Sequence, residues 1–425
     1  YKICVCRIYD VSAGAGAAGP DILLNMIKKV KVQQLKPDMY IHDLNCGWLK
    51  HPFVTNSLKI KDEKVIEKIV SYGIRSVYID TAKGADVDGA PTEHEVKHEI
   101  QRDMNGMADK KPEKQYRVSL REELVKAKEI KKEAKETIQN ILDDVRFGKQ
   151  IEKEKVECLV DKMLESILRN PDALISLARL REVDEYTYVH SMAVCTLMIS
   201  FGHYLIYDPQ ILREVGIGAM LHDIGKMRIP QELLTKRHGL SDDEYRQIKE
   251  HVVFSRMILE ETKGISQTSI LLASQHHERE DGTGYPQGLD GRQTSEFGQA
   301  AAIADVYDAM TSKRCYQRKY EPTEVLKKLF EWSENLYNKN LVQHFIRNVG
   351  IYPIGVLVRL ESGLLGVVLN HGEKSLLHPK VRIVYDANKD RALIPYDVDL
   401  SQSETDCVSC HEQPDRWRIY PERYM

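Results

Sequence analysis

The sequence lacks a long hydrophobic run. Its longest apolar stretch, around residues 193–201, is far short of the about 20 residues that a membrane-spanning helix needs. We find no charged-then-apolar export signal, and the eight cysteines are too few and too irregularly spaced for a disulfide scaffold. We therefore expect a cytoplasmic protein with reduced thiols and no membrane span.

A large excess of charge of one sign is missing as well. Lys and Arg number 61 and Asp and Glu number 64, so the formal net charge is −3 over 425 residues. A protein held on a nucleic-acid polymer by its overall field would be strongly basic, and we exclude that class of partner. Apolar residues nevertheless make up 42% of the chain, enough for buried cores in two or three domains.

Composition and periodicity divide the chain into five regions. Residues 1–28 have the composition of a tag or linker, whereas 29–85 combine strand and helix patterns as a small mixed domain would. Residues 86–114 show no periodicity and are interpreted as a linker. Helical patterns dominate 115–350, and β-branched runs dominate 351–425. The predicted fold is mainly α: a helical-bundle domain with a small mixed α/β domain before it and a β-rich extension after it.

The spacing of apolar residues predicts the individual helices. The longest, Leu120–Asp144, begins at a capping box of Ser119 and Glu122, and its mixed charges could pair it with a second copy in a homodimer. The other predicted helices are Asp62–Tyr72, Val156–Arg169, Tyr186–Tyr204, Pro209–His222, Ser241–Leu259, Ile265–His277, Phe297–Ser312 and Pro322–Asn335.

Histidines and aspartates recur on five successive predicted helices. One such residue alone is usually structural, but a series on facing helices is how bundles build metal centres. Imidazole with carboxylate suits Fe, Mn or Zn, and no cysteine lies nearby in the sequence to form a thiolate zinc site. The candidate ligands are His190, His222, Asp223, His251, His276, His277 and Asp305.

The adjacent pair His222 and Asp223 indicates more than one cation. A carboxylate has two oxygens and can bridge two metal ions, which a neutral imidazole cannot, so Asp223 is the expected bridge. With Glu185 upstream, the sequence holds enough ligands for two metal ions and for a third, and we favour Fe or Mn. Lys226, three residues beyond Asp223, can reach a phosphate as a point charge.

Two neighbouring segments favour a phosphate-containing ligand. The turn at 281–286 directly follows the histidine pair; its Gly284 lets the backbone approach a ligand closely, and Tyr285 can contact a base or sugar. Behind Asp305, a basic cluster could clamp phosphate oxygens, although a solvated basic helix end is an equal alternative. That cluster consists of Lys313, Arg314, Arg318 and Lys319.

The sequence around these residues resembles the HD-GYP family of cyclic-di-GMP phosphodiesterases, which are metal-dependent hydrolases. The matching text is EYTYVHS at 185–191, HDIGK at 222–226, HHEREDGTGYP at 276–286 and ADVYDAMTSKR at 304–314. Residues 30–80 look like the small domain that often precedes this catalytic domain in bacteria. The chain departs from the family pattern at Cys315 and Gln317, which replace a proline and a basic residue, and at Glu280, where an aromatic or aliphatic residue is frequent.

The resemblance implies a role for each motif residue. Asp223 and Lys226 would act in catalysis. The implied metal ligands are Glu185, His190, His222, Asp223, His251, His276, His277 and Asp305, and Glu185 favours a third cation. The implied substrate-binding residues are Lys226, Gly284, Tyr285, Asp308, Arg314 and Arg318.

The implied reaction is hydrolysis of a 3′–5′ phosphodiester in cyclic di-GMP, which gives linear pGpG and, after a second round, GMP. A hybrid cyclic GMP-AMP is an open alternative substrate, because the sequence does not assign the purine. A nucleoside-triphosphate or (p)ppGpp hydrolase is disfavoured by the Gly-Tyr-Pro turn. The alternative of another class is a non-catalytic module that binds the dinucleotide or docks other signalling domains through that turn.

One further motif lies near the end of the chain. Residues 407–411 read Cys-Val-Ser-Cys-His, which matches the attachment pattern of c-type haem. Since haem attachment usually requires export, we interpret the match as a chance pattern in a polar tail, with metal binding by the tail as the alternative.

Overall fold

The structure is a computed structural model, and it divides the chain into two compact units. The first consists of Tyr1–Asn45 and Thr55–His98, and the second of Cys46–Val54 and Glu99–Met425. The residues that the structure describes are 26–46, 56–108, 117–179, 186–236, 240–312, 320–372, 375–403 and 406–425.

The first unit contains an antiparallel sheet and a helix. The strands are Ile27–Lys31 (β1), Tyr40–Asp43 (β2), Leu58–Lys59 (β3) and Ser76–Asp80 (β4), in the order β1-β4-β2-β3. The helix, Glu63–Ser71 (α1), starts where the Asp62 side chain accepts a hydrogen bond from the backbone N–H of Val65. The prediction of a small mixed region with one helix is confirmed.

A helix occupies most of the stretch interpreted as a linker. Glu93–Ala108 (α2) lies within residues 86–114, so the expectation of no regular structure there is wrong over those sixteen residues. Val96, Ile100 and Met104 are buried at four-residue intervals, which is the period of one helical face. Three apolar residues in a highly charged segment give only a weak indication of a helix, and the composition of the segment favoured a linker instead.

The second unit is mainly helical, as predicted. Its helices are Leu120–Arg146 (α3), Lys153–Arg169 (α4), Pro171–Arg179 (α5), Tyr186–Tyr204 (α6), Pro209–Leu221 (α7), Gln231–Leu234 (α8), Asp242–Lys249 (α9), His251–Glu261 (α10), Gln267–Gln275 (α11), Glu296–Thr311 (α12), Pro322–Trp332 (α13) and Lys339–Val349 (α14). A 3-10 segment, Ile224–Arg228, follows α7. None of the described helices is both long and apolar enough to cross a bilayer.

The predicted helix Ser241–Leu259 is wrong as a single element. The capping box of Ser241 and Glu244 forms as expected, but the helix ends at Lys249 and a second one begins at His251. Between them Glu250 keeps right-handed helical backbone angles, so the interruption is a kink rather than a loop. Apolar periodicity continues through a kink of this kind and therefore does not reveal it.

Five helices of the second unit bring the candidate ligands together. The almost fully buried α6 packs against α7 and α12, α7 packs against α11, and α10 packs against the 3-10 segment. A buried carboxylate links the long helix α3 to α4: Glu123 on α3 accepts hydrogen bonds from Ser166 and Arg169 on α4. The ends of α7, α10 and α11 consequently meet α6 near its fifth residue, His190, and α12 at Asp305.

The last part of the second unit is a five-stranded antiparallel sheet, which confirms the β-rich extension. Its strands are Leu357–Leu360 (β5), Leu364–Asn370 (β6), Lys380–Asp386 (β7), Arg391–Asp399 (β8) and Val408–His411 (β9), in the order β8-β7-β6-β5-β9, and a short helix, Pro414–Trp417 (α15), follows. Residues 408–411 of the haem-like motif are therefore a paired strand rather than a polar tail. In the described parts of the chain, no group of three candidate metal ligands includes Cys407, Cys410 or His411.

Candidate metal centre

Three candidate ligands stand at helix ends rather than within helices. A helix leaves the carbonyls of its last turn without intrahelical partners, and an imidazole placed just beyond can donate to one of them. Each ring donates from Nδ1 to the carbonyl three residues earlier: His222 to Ala219 at 2.8 Å, His251 to Ile248 at 2.6 Å and His276 to Ala273 at 2.8 Å. The ends of helices thus orient the rings.

The same hydrogen bonds decide which nitrogen is available to a metal ion. A carbonyl oxygen only accepts, so Nδ1 carries the proton and Nε2 of the neutral ring has a free electron pair. The Nε2 atoms of His222, His251 and His276 are buried and make no hydrogen bond within the described part of the chain. Buried nitrogens normally have a partner, so these three are suited to bind a cation.

Asp223 lies between two pairs of histidines. Its Oδ2 is 3.4 Å from Nε2 of His222 and 3.5 Å from Nε2 of His190. Its Oδ1 is 3.3 Å from Nε2 of His251 and 3.9 Å from Nε2 of His276. One carboxylate oxygen therefore faces each pair, which is the arrangement that a bridge between two cations requires.

The remaining candidates complete two groups around this carboxylate. On α6, Nε2 of His190 is 3.2 Å from Oδ1 of Asp305 on α12, and Nδ1 of His277 is 4.0 Å from the other oxygen of Asp305. Ligand atoms lie close enough to share an ion in one group of His190, His222 and Asp305 and in another of His251, His276 and His277. A third such group, of His222, Asp223 and His276, links these two.

Asp308 has a different position from the one that the resemblance implies. We expected it at the nucleotide, but its Oδ2 is 2.7 Å from Nδ1 of His190 and the side chain is buried. A carboxylate on the outer nitrogen of a metal-ligating histidine fixes the ring and raises its basicity. A role at the nucleotide for Asp308 stays a prediction.

The protonation states suit a cation at this centre. Burial opposes the ionisation of Asp305, but the hydrogen bond with His190 and the electrostatic interactions with the surrounding histidines together outweigh it and lower the pKa of Asp305 to about 2. Burial also opposes ionisation of Asp223, yet the electrostatic interactions with Lys226 and then with His222 hold its pKa well below the usual range. Burial lowers the pKa of His276 to about 3 and that of His277 well below its ordinary value. Charged carboxylates and neutral imidazoles are the metal-binding forms.

The pKa of His190 reflects the negative charge that surrounds it at the centre. Burial disfavours its cation, but hydrogen bonds with Asp223, Asp305 and Asp308 raise the pKa of His190 well above the usual value. Three buried carboxylates around one ring concentrate negative charge that a metal ion would neutralise. The donor set of neutral nitrogens and carboxylate oxygens therefore fits divalent transition metals.

Lys226 lies at the edge of the centre. It belongs to the 3-10 segment after Asp223, and its ammonium donates to Oδ2 of Asp223. About a quarter of the side chain is exposed, 27%, so the ammonium can reach a ligand that enters from solvent.

Gly225 lies in the HDIGK motif, but the sequence patterns gave it no role. A Cβ at this position would lie 2.0 Å from the backbone oxygen of His251 and 2.4 Å from the backbone nitrogen of Ser255. The Gly225 N–H donates to the Ser255 hydroxyl at 2.9 Å. Glycine thus allows the 3-10 segment to pack directly on the backbone of α10, which carries His251.

We predict that Gly225→Ala lowers metal content and turnover by about 10²-fold, because α10 must move by an ångström or more to accommodate the methyl group. Elemental analysis and a phosphodiesterase assay on the same preparation check this. Gly106→Ala on α2 is the matched control, since its Cβ would contact nothing. A Gly225→Ala protein with full metal content and turnover would contradict the account.

The Gly-rich turn folds back onto the centre. The Tyr285 N–H donates to the His277 carbonyl at 3.1 Å, and the Tyr285 ring lies 4.7 Å from the His277 ring at an interplanar angle of 31°. The Glu278 carboxylate holds the far side of the turn by accepting from the N–H groups of Gln287 and Leu289. A Cβ on Gly284 would meet the Glu278 and Arg279 backbone at 2.5 Å, so this glycine is required by the turn itself. Its contact with a ligand stays a prediction.

A lysine that the sequence patterns missed lies over the Tyr285 ring. The Nζ atom of Lys249 is 4.9 Å from the Tyr285 ring centroid and 4.5 Å from that of Tyr245. Burial, and to a lesser extent the charge of Arg279, lowers the pKa of Lys249.

Three residues named for the site lie outside the described residues. They are Glu185, on which the expectation of a third cation depends, and Arg314 and Arg318 of the basic cluster. Their roles stay predictions.

Comparisons with known proteins agree with this geometry. Residues 162–341 match the family model described as an HD domain, and residues 27–156 match a domain of unknown function, DUF3391. A helical domain of this type with paired His and Asp clusters defines the class of the protein: an HD-domain protein that binds divalent metal ions.

Relatives narrow the class to a family. The cyclic di-GMP phosphodiesterase PA4108 of Pseudomonas aeruginosa is 36% identical over 396 residues, which are 93% of this chain and 94% of that protein. A cyclic di-GMP phosphodiesterase of Thermotoga maritima is 33% identical over 165 residues, 39% of this chain and 45% of that protein. A 3′3′-cGAMP-specific phosphodiesterase of Vibrio cholerae is 34% identical over 142 residues, 33% of each chain. The chain belongs to the HD-GYP family of cyclic di-GMP phosphodiesterases.

Proposed function

We propose that this protein hydrolyses cyclic di-GMP to linear pGpG, and pGpG further to GMP, at the centre built around Asp223. The observation that carries the proposal is the position of the Asp223 carboxylate, with one oxygen toward His190 and His222 and the other toward His251 and His276. The 36% identity to a cyclic di-GMP phosphodiesterase over nearly the whole chain supports the choice of substrate.

The proposed ligands would hold two cations, with Asp223 between them. His190, His222 and Asp305 would hold one, and His251, His276 and His277 the other. Iron or manganese is favoured because imidazole nitrogens and carboxylates suit these metals. Bound metal ions supply an attacking water of lowered pKa and neutralise phosphoryl oxygens.

The remaining residues act on the substrate and on the ligands. Lys226 lies beside Asp223 and is partly exposed, so its ammonium can donate to a phosphoryl oxygen as negative charge develops there. Asp308 keeps His190 in one orientation through the Nδ1 hydrogen bond. Tyr285, packed on His277, is proposed to contact the nucleotide from the Gly-rich turn.

A second candidate substrate is 3′3′-cGAMP, because a relative 34% identical over 142 residues is named as specific for it. The two substrates differ in one purine, and the proposed contacts of Lys226 and Tyr285 do not discriminate between purines. The alternative of a non-catalytic binding module is disfavoured because every described candidate ligand lies at the centre.

The direct test follows both cyclic dinucleotides by chromatography with the protein loaded with Mn(II) or Fe(II). We expect conversion of cyclic di-GMP to pGpG first and GMP later, and slower conversion of 3′3′-cGAMP. The proposal fails if no linear product forms while both metal positions are filled. A cytoplasmic location, a homodimer through α3 and docking of signalling domains on the Gly-Tyr-Pro turn stay predictions.

A further inference from the structure

Lys249 has no role in the proposed mechanism, and its position is unusual for a lysine. It is the last residue of α9, where a lysine is commonly explained by the helix dipole and extends into water. Its side chain is instead half-buried, with the ammonium over the rings of Tyr245 and Tyr285.

These contacts place a positive charge next to the metal centre. The Tyr285 ring that Lys249 covers lies 4.7 Å from the His277 ring and 6.5 Å from the His251 ring, both candidate metal ligands. One aromatic ring therefore separates the Lys249 ammonium from the centre, on the side of the Gly-rich turn.

Lys249 forms no ion pair within the described ranges of the chain. The charged group there that acts on it is Arg279, which has the same sign. Aromatic faces attract an ammonium but do not cancel its charge, so the side chain is positioned to receive an anion.

The proposed substrate supplies that anion. A cyclic dinucleotide carries two phosphodiesters on opposite sides of its macrocycle, and only one can occupy the metal centre at a time. Resting on the proposed function, we propose that Lys249 is a substrate-binding residue that receives the second, uncleaved phosphate of the cyclic dinucleotide beside Tyr285. The charge-assisted hydrogen bond would act on binding of the macrocycle and not on the bond that breaks.

The test compares Lys249→Met and Lys249→Arg on cyclic di-GMP and on bis(4-nitrophenyl) phosphate, which has one phosphodiester and no second anion. For Lys249→Met we expect the ratio of kcat/KM for cyclic di-GMP to that for the small diester to fall about tenfold, with the loss in KM. Lys249→Arg should recover most of it. Lys263→Met, at an exposed lysine after α10, is the control and should leave the ratio unchanged.

Three outcomes would overturn the proposal: an unchanged ratio, an equal loss on both substrates, or a loss of metal from Lys249→Met that shows a structural role. If the wild-type protein binds cyclic di-GMP without cleaving it, the proposed function fails separately. The dissociation constant measured by calorimetry then decides: tenfold weaker binding by Lys249→Met supports the role of Lys249, and equal binding overturns it.

Discussion

Asp223→Asn is expected to abolish turnover of cyclic di-GMP, with kcat reduced by about 10³-fold or more. The amide keeps the size of the side chain, but it removes the negative charge and replaces one acceptor oxygen with a donor. One of the two histidine pairs then loses the shared oxygen that faces it. The measurement is turnover together with metal content, which should fall below two ions per chain.

The control for this substitution is Asp243→Asn, which makes the same chemical change at an exposed residue of α9 that pairs with Arg246. It should keep wild-type turnover and metal content. An Asp223→Asn protein that retains both would show that the carboxylate is not a bridge and that the chemistry takes place elsewhere.

Removal of the metal ions is the second change with a large expected effect. Dialysis against a chelator should reduce turnover by about 10³-fold or more, since Lys226 alone cannot lower the pKa of an attacking water. Addition of Mn(II) or Fe(II) should restore it, whereas Ca(II), which prefers all-oxygen ligands, should not, because most of the donors are imidazole nitrogens.

The fold of the chelated protein is the necessary control. Circular dichroism should show that the helices persist, which separates loss of chemistry from loss of structure. Full turnover by a preparation that elemental analysis finds free of metal would refute a metal-dependent mechanism.

The ligands could be predicted because their chemistry is visible in residue identity. Few arrangements in a helical bundle can place a His-Asp pair, a lone His, a His-His pair and an Asp on successive helices. The structure brings together, around Asp223, the side chains of His190, His222, His251, His276 and Asp305. The expectation that Asp223 bridges two cations likewise came from its two carboxylate oxygens, and the structure places one of them toward each histidine pair.

The setting of those ligands could not be predicted from periodicity. His222 and His276 were assigned to the ends of helices, but the hydrogen bonds that orient them depend on carbonyl groups, which every residue has and no pattern shows. The kink before His251 could not be predicted either, because the apolar pattern of the sequence continues through it.

The sequence patterns also missed residues whose importance comes from contacts with distant parts of the chain rather than from a reactive side chain. Gly225 is needed because another helix passes 2.0 Å from where its Cβ would be, a contact between distant parts of the sequence. The Lys249 ammonium lies over the rings of Tyr245 and Tyr285, and Tyr285 is 36 residues away in the sequence. The resemblance assigned Asp308 to the nucleotide, which stays a prediction, but it did not indicate the contact of Asp308 with His190.

The central claim is that two cations lie on either side of the Asp223 carboxylate. Anomalous diffraction from crystals grown with Mn(II), collected above and below the manganese edge, tests it most directly. We predict two anomalous peaks, one among His190, His222 and Asp305 and the other among His251, His276 and His277, with Asp223 between them. A single peak away from Asp223, or none in protein that turns over substrate, would contradict the account.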